Sequence, residues 1–215
     1  MNTANTQPSD TYRISKEWRL RAYLGIAFTG VFIVIALVML LHQTAPVGAC
    51  LLIIAALLYF DYPYIRLLLQ AGDITVQGTT LHTKSLAGTT KSIDTTQVAR
   101  VEAHKIFSGK GRPLFAFKLT DQSGNFVYLA ASAITKAQCQ QFGHDFARLA
   151  QQYLFTPQAS WDKRAIALVT PQGINAARYI SQRMFSAEDL AVFQAHFGGQ
   201  VAPSPSQERQ TPTSV

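Results

Sequence analysis

AYLGIAFTGVFIVIALVMLLHQTAPVGACLLIIAALLYF, residues 22–60, runs for thirty-nine positions without an Asp, Glu, Lys or Arg. A bilayer core of roughly 30 Å needs about 20 residues per helical crossing, so the stretch is long enough to cross twice. Its first half, Tyr23 to Leu41, holds twelve Leu, Ile, Val or Phe residues. Each is worth roughly −0.3 to −0.6 kcal/mol at the centre of a membrane helix. The polar, proline-closed His42-Gln43-Thr44-Ala45-Pro46 reads as the turn between crossings. Pro46 to Phe60 alone gives only about 22 Å at 1.5 Å per residue. The second crossing is therefore expected to continue through Asp61-Tyr62-Pro63-Tyr64, making residues 22–69 a two-helix transmembrane hairpin.

The flanks set its expected orientation. Arg13, Lys16, Arg19 and Arg21 precede the first crossing, the turn has no basic residue, and Arg66, Lys84 and Lys91 follow the second. The positive-inside rule then puts both termini in the cytoplasm. Trp18, Arg19, Arg21, Tyr62, Tyr64 and Arg66 are the expected membrane-interface residues, rings at headgroup level and cations snorkelling beside them. Asp61 is expected at the same boundary. A cleaved signal peptide fits poorly, because the apolar run exceeds the usual h-region and leads into a second one. Val47-Gly48-Ala49-Cys50 has the look of a lipoprotein box, but Leu51-Leu52-Ile53-Ile54 follows where polar residues belong. Cys50 and Cys139 are the two cysteines, too few for a disulfide framework or a cysteine-rich metal site.

Composition agrees. A hydrophobic content of 48% with mean hydropathy +0.09 averages an apolar hairpin with an ordinary remainder of about 150 residues, enough for one domain with a core. The net charge of +7 suits an anionic leaflet, where each basic residue near the surface contributes about 1 kcal/mol. Nucleic acid is not an expected partner, because the basic residues are scattered rather than striped with aromatics.

Along the chain, residues 1–21 read as a disordered lead and a basic juxtamembrane segment. From Ile74 the hydrophobic period becomes two. Short strands are expected around Ile74–Gln77, Leu81–Leu86, Thr90–Ile93, Val98–Ile106, Leu114–Asp121 and Phe126–Leu129, with turns at Gly78-Thr79-Thr80, Ala87-Gly88-Thr89 and Asp121–Asn125. Close spacing makes this an antiparallel meander. A helix capped by Thr135 carries Cys139, Phe142, Phe146, Leu149 and Tyr153 as one apolar stripe facing the sheet. Residues 160–198 echo the preceding unit at an offset of fifty-one residues. There Ile166-Ala167-Leu168 is expected as a strand, and Ser186 caps a second helix bearing Leu190, Phe193 and Phe197. Residues 199–215, rich in Pro, Ser, Thr and Gln, read as a disordered tail.

Tyr179-Ile180 followed by Phe185-Ser186, Glu188-Asp189-Leu190 and Phe193 resembles the C-terminal signature of the YcxB-like family of bacterial membrane proteins. Residues 72–155 look like the pleckstrin-homology-like domains carried behind paired membrane helices. The resemblance implies an α+β membrane protein of the bacterial inner membrane: a transmembrane hairpin, then an antiparallel PH-like sheet or barrel capped by one helix. It departs from that plan in its additional hairpin-plus-helix at 160–198.

No spacing for catalysis or a metal stands out. His42, His82, His104, His144 and His196 are dispersed, and no HExxH occurs. Neither an enzyme nor a cofactor is expected. The glycine-rich Ser108-Gly109-Lys110-Gly111-Arg112 lacks the P-loop pattern, yet with Lys105 it is the expected phosphate or lipid-headgroup site through Lys105, Lys110 and Arg112. The function expected is a membrane-anchored cytoplasmic interaction module without turnover, its partners membrane lipids or a protein whose identity and stoichiometry the residues do not specify. The alternative is a small membrane enzyme or transport accessory subunit using Asp61.

Overall fold

The computed structural model describes residues 10–43, 46–107, 114–170 and 182–198. The uncharged stretch forms two long helices, α1 (Lys16–Leu41) and α2 (Val47–Gln70), both long and apolar enough to cross a membrane. Only 11% of each apolar window is buried, which separates them from the core helices of a soluble body. Every large hydrophobic side chain left exposed among the described residues lies on α1 or α2. Where the two helices meet, the residues are small. Ala22, Thr29 and Ala36 recur every seven positions as the buried seam of α1, the spacing of a left-handed antiparallel pair. A Cβ on Gly25 would lie 2.5 Å from the Tyr64 ring.

The remainder begins earlier than expected. Asp10–Tyr12, assigned from sequence to a disordered lead, forms β1 and pairs antiparallel with β2 (Gly72–Gln77), Tyr12 opposite Ile74. Three residues carry no period of their own; the strand exists because Tyr12 is buried in the core. The hairpin is thus inserted between neighbouring strands of one sheet. That sheet continues through β3 (Thr80–Ser85) and β4 (Thr90–Asp94) in the order β1-β2-β3-β4. A second sheet, ordered β7-β6-β5-β8, contains β5 (Val98–Phe107), β6 (Leu114–Asp121), β7 (Phe126–Leu129) and the two-residue β8 (Ser160–Trp161). All pairings are antiparallel except β5 with β8. The β6–β7 turn is closed by Asp121, which accepts from the Ser123 and Asn125 amides at 2.9 and 2.8 Å, with Gly124 at φ 85°.

Helix α3 (Lys136–Leu149) buries Cys139, Phe142, Phe146 and Leu149 against the sheets. Beyond it the expected second strand–turn–strand unit is absent at its start: Lys163–Val169 is helix α4, not a strand. A short apolar run fits either state by pattern, and Asp162 decides it by accepting the Arg164 amide at 2.8 Å as an N-cap. Helix α5 (Ala187–Phe197) opens on a capping box between Ser186 and Asp189. Phe146 is central to the packing, with ring centroids of Phe117, Phe142, Trp161, Phe185 and Phe193 within 6.4 Å. The described part of 160–198 therefore shares one core with both sheets and α3. A smaller core, with Leu67, Ala71, Ile106, Leu114 and Ala133 buried, seats the bases of α1 and α2 on the other face of the second sheet.

Candidate functional site

The strongest constellation lies where α2 meets β5 and α4. Tyr62 and Arg66 are one helical turn apart and share a face, the Arg66 guanidinium 5.6 Å from the Tyr62 ring centroid. Below them β5 presents Glu102, His104 and Lys105, and the N-terminus of α4 adds Asp162 and Arg164. Together they line a cleft of about 530 Å³. It brings together Lys105, from the expected phosphate site, and Tyr62 and Arg66, from the expected interface set. Lys110 and Arg112 lie outside the described residues. Sequence reading missed Arg164, whose approach depends on α4 being a helix.

The charges are unevenly paired. Glu102 is engaged by Arg100 at 3.0 Å and Lys118 at 3.2 Å. Arg66, Lys105 and Arg164 have no ion-pair partner among the described residues. Burial holds the His104 imidazole below its ordinary value, and Lys118 and Arg66 push the same way against the pull of Glu102. At neutral pH His104 is then mainly an uncharged hydrogen-bonding group, and Arg66, Lys105 and Arg164 outnumber Asp162, a cleft carboxylate likewise without an ion-pair partner among the described residues, which leaves the cleft net positive. A carboxylate or phosphate is the complementary group.

The remaining interface residues serve the joint. Arg19 Nη2 donates to both carboxylate oxygens of Asp73 at 2.6 and 2.7 Å, and Asp73 also accepts the Ile14 amide at 2.9 Å. Arg19 thus clamps the base of α1 to β2. Trp18 and Tyr64 pack on the smaller core, and the Arg21 guanidinium lies 5.2 Å from the Trp18 ring. Asp61, on α2, is buried against the protein itself. It is 5% exposed, with Oδ1 lacking a hydrogen-bond partner. No group of three or more potential metal ligands occurs among the described residues. No family model, curated protein or solved structure matches this chain.

Proposed function

We propose that this chain is a membrane-anchored interaction module without turnover, whose α1–α2 hairpin spans the bacterial inner membrane with both termini cytoplasmic. Its sheet-rich body, of the pleckstrin-homology-like kind and YcxB-like in the order of its parts, then lies beneath the inner leaflet. The Arg66, Lys105 and Arg164 cleft takes anionic lipid headgroups. The observation that carries this reading is the convergence of three cations without carboxylate partners at the foot of an apolar helix. Two further facts support it. The hairpin's greasy faces are exposed and need an apolar surrounding. The β1–β2 pairing holds both hairpin ends on one side, as an even number of crossings requires.

The test is the stability of the full chain in phosphatidylcholine nanodiscs with and without phosphatidylserine. A ligand that binds only the folded state stabilises it. Anionic lipid should raise the melting midpoint, and the increment should shrink at ~0.5 M salt, where screening falls to a few ångströms. Arg66→Gln, Lys105→Gln and Arg164→Gln combined should abolish it. An increment untouched by the triple substitution would refute the cleft's role.

A further inference from the structure

A second concavity, of about 300 Å³, shares no lining residue with the basic cleft and lies between the end of α2, the β3–β4 hairpin and β7. It arises from a change of residue type along one face of a sheet. In β2, β3 and β4 the inward positions Ile74, Val76, Leu81 and Ile93 are apolar and belong to the main core. Toward the helices the same alternation brings Thr83, Ser85, Thr89 and Lys91 to that face. Inward positions that turn from aliphatic to hydroxyl and ammonium do not complete a core; they line a polar recess. One wall is Leu69, 57% exposed at the end of α2, and the opposite wall is Phe126 and Tyr128.

Its chemistry is selective. Ser85 Oγ accepts the Thr89 amide at 3.1 Å, which leaves its hydroxyl proton to donate outward. Thr83 and Thr89 add two groups that donate and accept. Lys91 has no ion-pair partner among the described residues. Its Nζ sits 3.8 Å from the Phe126 ring centroid, and Lys118 lies 5.1 Å from the same ring. No carboxylate lines the recess, and the one aromatic face best placed for a cation already holds an ammonium. Headgroups carrying an ammonium therefore find no counter-charge there, whereas a phosphate finds Lys91 and free hydroxyls find Thr83, Ser85 and Thr89. The exposed Leu69 wall continues the apolar surface of α2, which gives the ligand a hydrocarbon end.

We propose that this recess is a binding site for one inner-leaflet phospholipid whose headgroup is a phosphodiester bearing free hydroxyls and no ammonium, phosphoglycerol being the simplest case. Lys91 holds the phosphate, the three hydroxyl side chains read the headgroup alcohols, and Leu69 meets the glyceride. The proposal rests on the membrane placement above but not on the basic cleft.

The experiment uses the full chain in phosphatidylcholine nanodiscs containing equal amounts of phosphatidylglycerol and phosphatidylserine, which carry the same net charge. Lipids retained after transfer to mild detergent are counted by native mass spectrometry. The wild type should retain phosphatidylglycerol over phosphatidylserine by about tenfold, the scale of one well-made hydrogen bond to a charged group. Thr83→Val with Thr89→Val, which removes two of the hydroxyls that read the headgroup alcohols, should bring the ratio close to one, and Lys91→Gln, an exposed and structurally mild change, should lower phosphatidylglycerol retention severalfold. Arg66→Gln with Arg164→Gln should remove lipid held in the cleft and keep the preference for phosphatidylglycerol or sharpen it, which separates this site from the cleft. Equal retention by the wild type, a preference that survives the paired threonine substitution, or retention untouched by Lys91→Gln would overturn the assignment.

Discussion

The Tyr12 hydroxyl donates to Asp145 Oδ2 across 133 residues of sequence. Both residues are buried, Tyr12 to 2% and Asp145 to 5% exposure, and the Tyr12 ring meets Phe142 edge-on at 5.1 Å. Burial and the neighbouring Asp145 carboxylate push the Tyr12 pKa well above its usual value, so the phenol remains a donor. Its removal leaves Asp145 with a long contact from Gln141 at 3.5 Å and Arg148 at 3.6 Å. A buried acceptor deprived of its donor costs about 1–3 kcal/mol. Tyr12→Phe should therefore lower the unfolding free energy of the reconstituted full chain by that amount, and urea titration measures it. A loss under about 0.5 kcal/mol would mean that water replaces the phenol.

At the scale of elements, α3 meets the segment leading into α5 through one absent side chain. A Cβ on Gly143 would stand 1.8 Å from the Met184 carbonyl oxygen, and backbone cannot yield as a side-chain tip can. Overpacking of a tight contact costs about 1–3 kcal/mol, so Gly143→Ala should destabilise the body by that much and raise hydrogen exchange across Ala187–Phe197 before the β5–β6 pair. The same elements show what the residues disclosed and what they hid. Helix α3 was legible because Cys139, Phe142, Phe146 and Leu149 keep a helical period over a full-length element, and the β6–β7 turn because Asp121 and Gly124 mark it. Strand β1 was not legible. Asp10-Thr11-Tyr12 is too short to carry a period, and its partner lies some sixty residues away, beyond both long helices. Helix α4 was mistaken for a strand because Ala165–Val169 is a short apolar run, although Asp162 held the cap signal. That error also hid Arg164, so only part of the basic cleft, Tyr62, Arg66 and Lys105, was in view. The polar recess was not legible because Thr83, Ser85, Thr89 and Lys91 carry no apolar signal and come together only once the strands are paired.

For the whole molecule, the two long helices connect strands that are already side by side. The body should therefore survive their removal. Joining Ser15 to Ala71 by a short Gly/Ser linker, with Ile14 and Asp73 retained, should give a water-soluble monomer with the full β1–β2 pairing, checked by size-exclusion chromatography and amide exchange at Ile74 and Val76. A fragment starting at residue 72 should fare worse, because it loses β1, the Tyr12–Asp145 bond and the Ile14–Ile134 bridge. Similar exchange protection in the two fragments would count against β1 as an integral strand.

The β1–β2 adjacency also constrains biosynthesis. During translation the first strand leaves the ribosome well before its partner is made, and the intervening segment is the pair of long apolar helices. The register Tyr12 opposite Ile74 cannot form until that segment has been synthesised and its far end has come back beside the first strand. Closure of the sheet is thus a late step, and until it happens Gly72–Gln77 keeps an unpaired edge on that side.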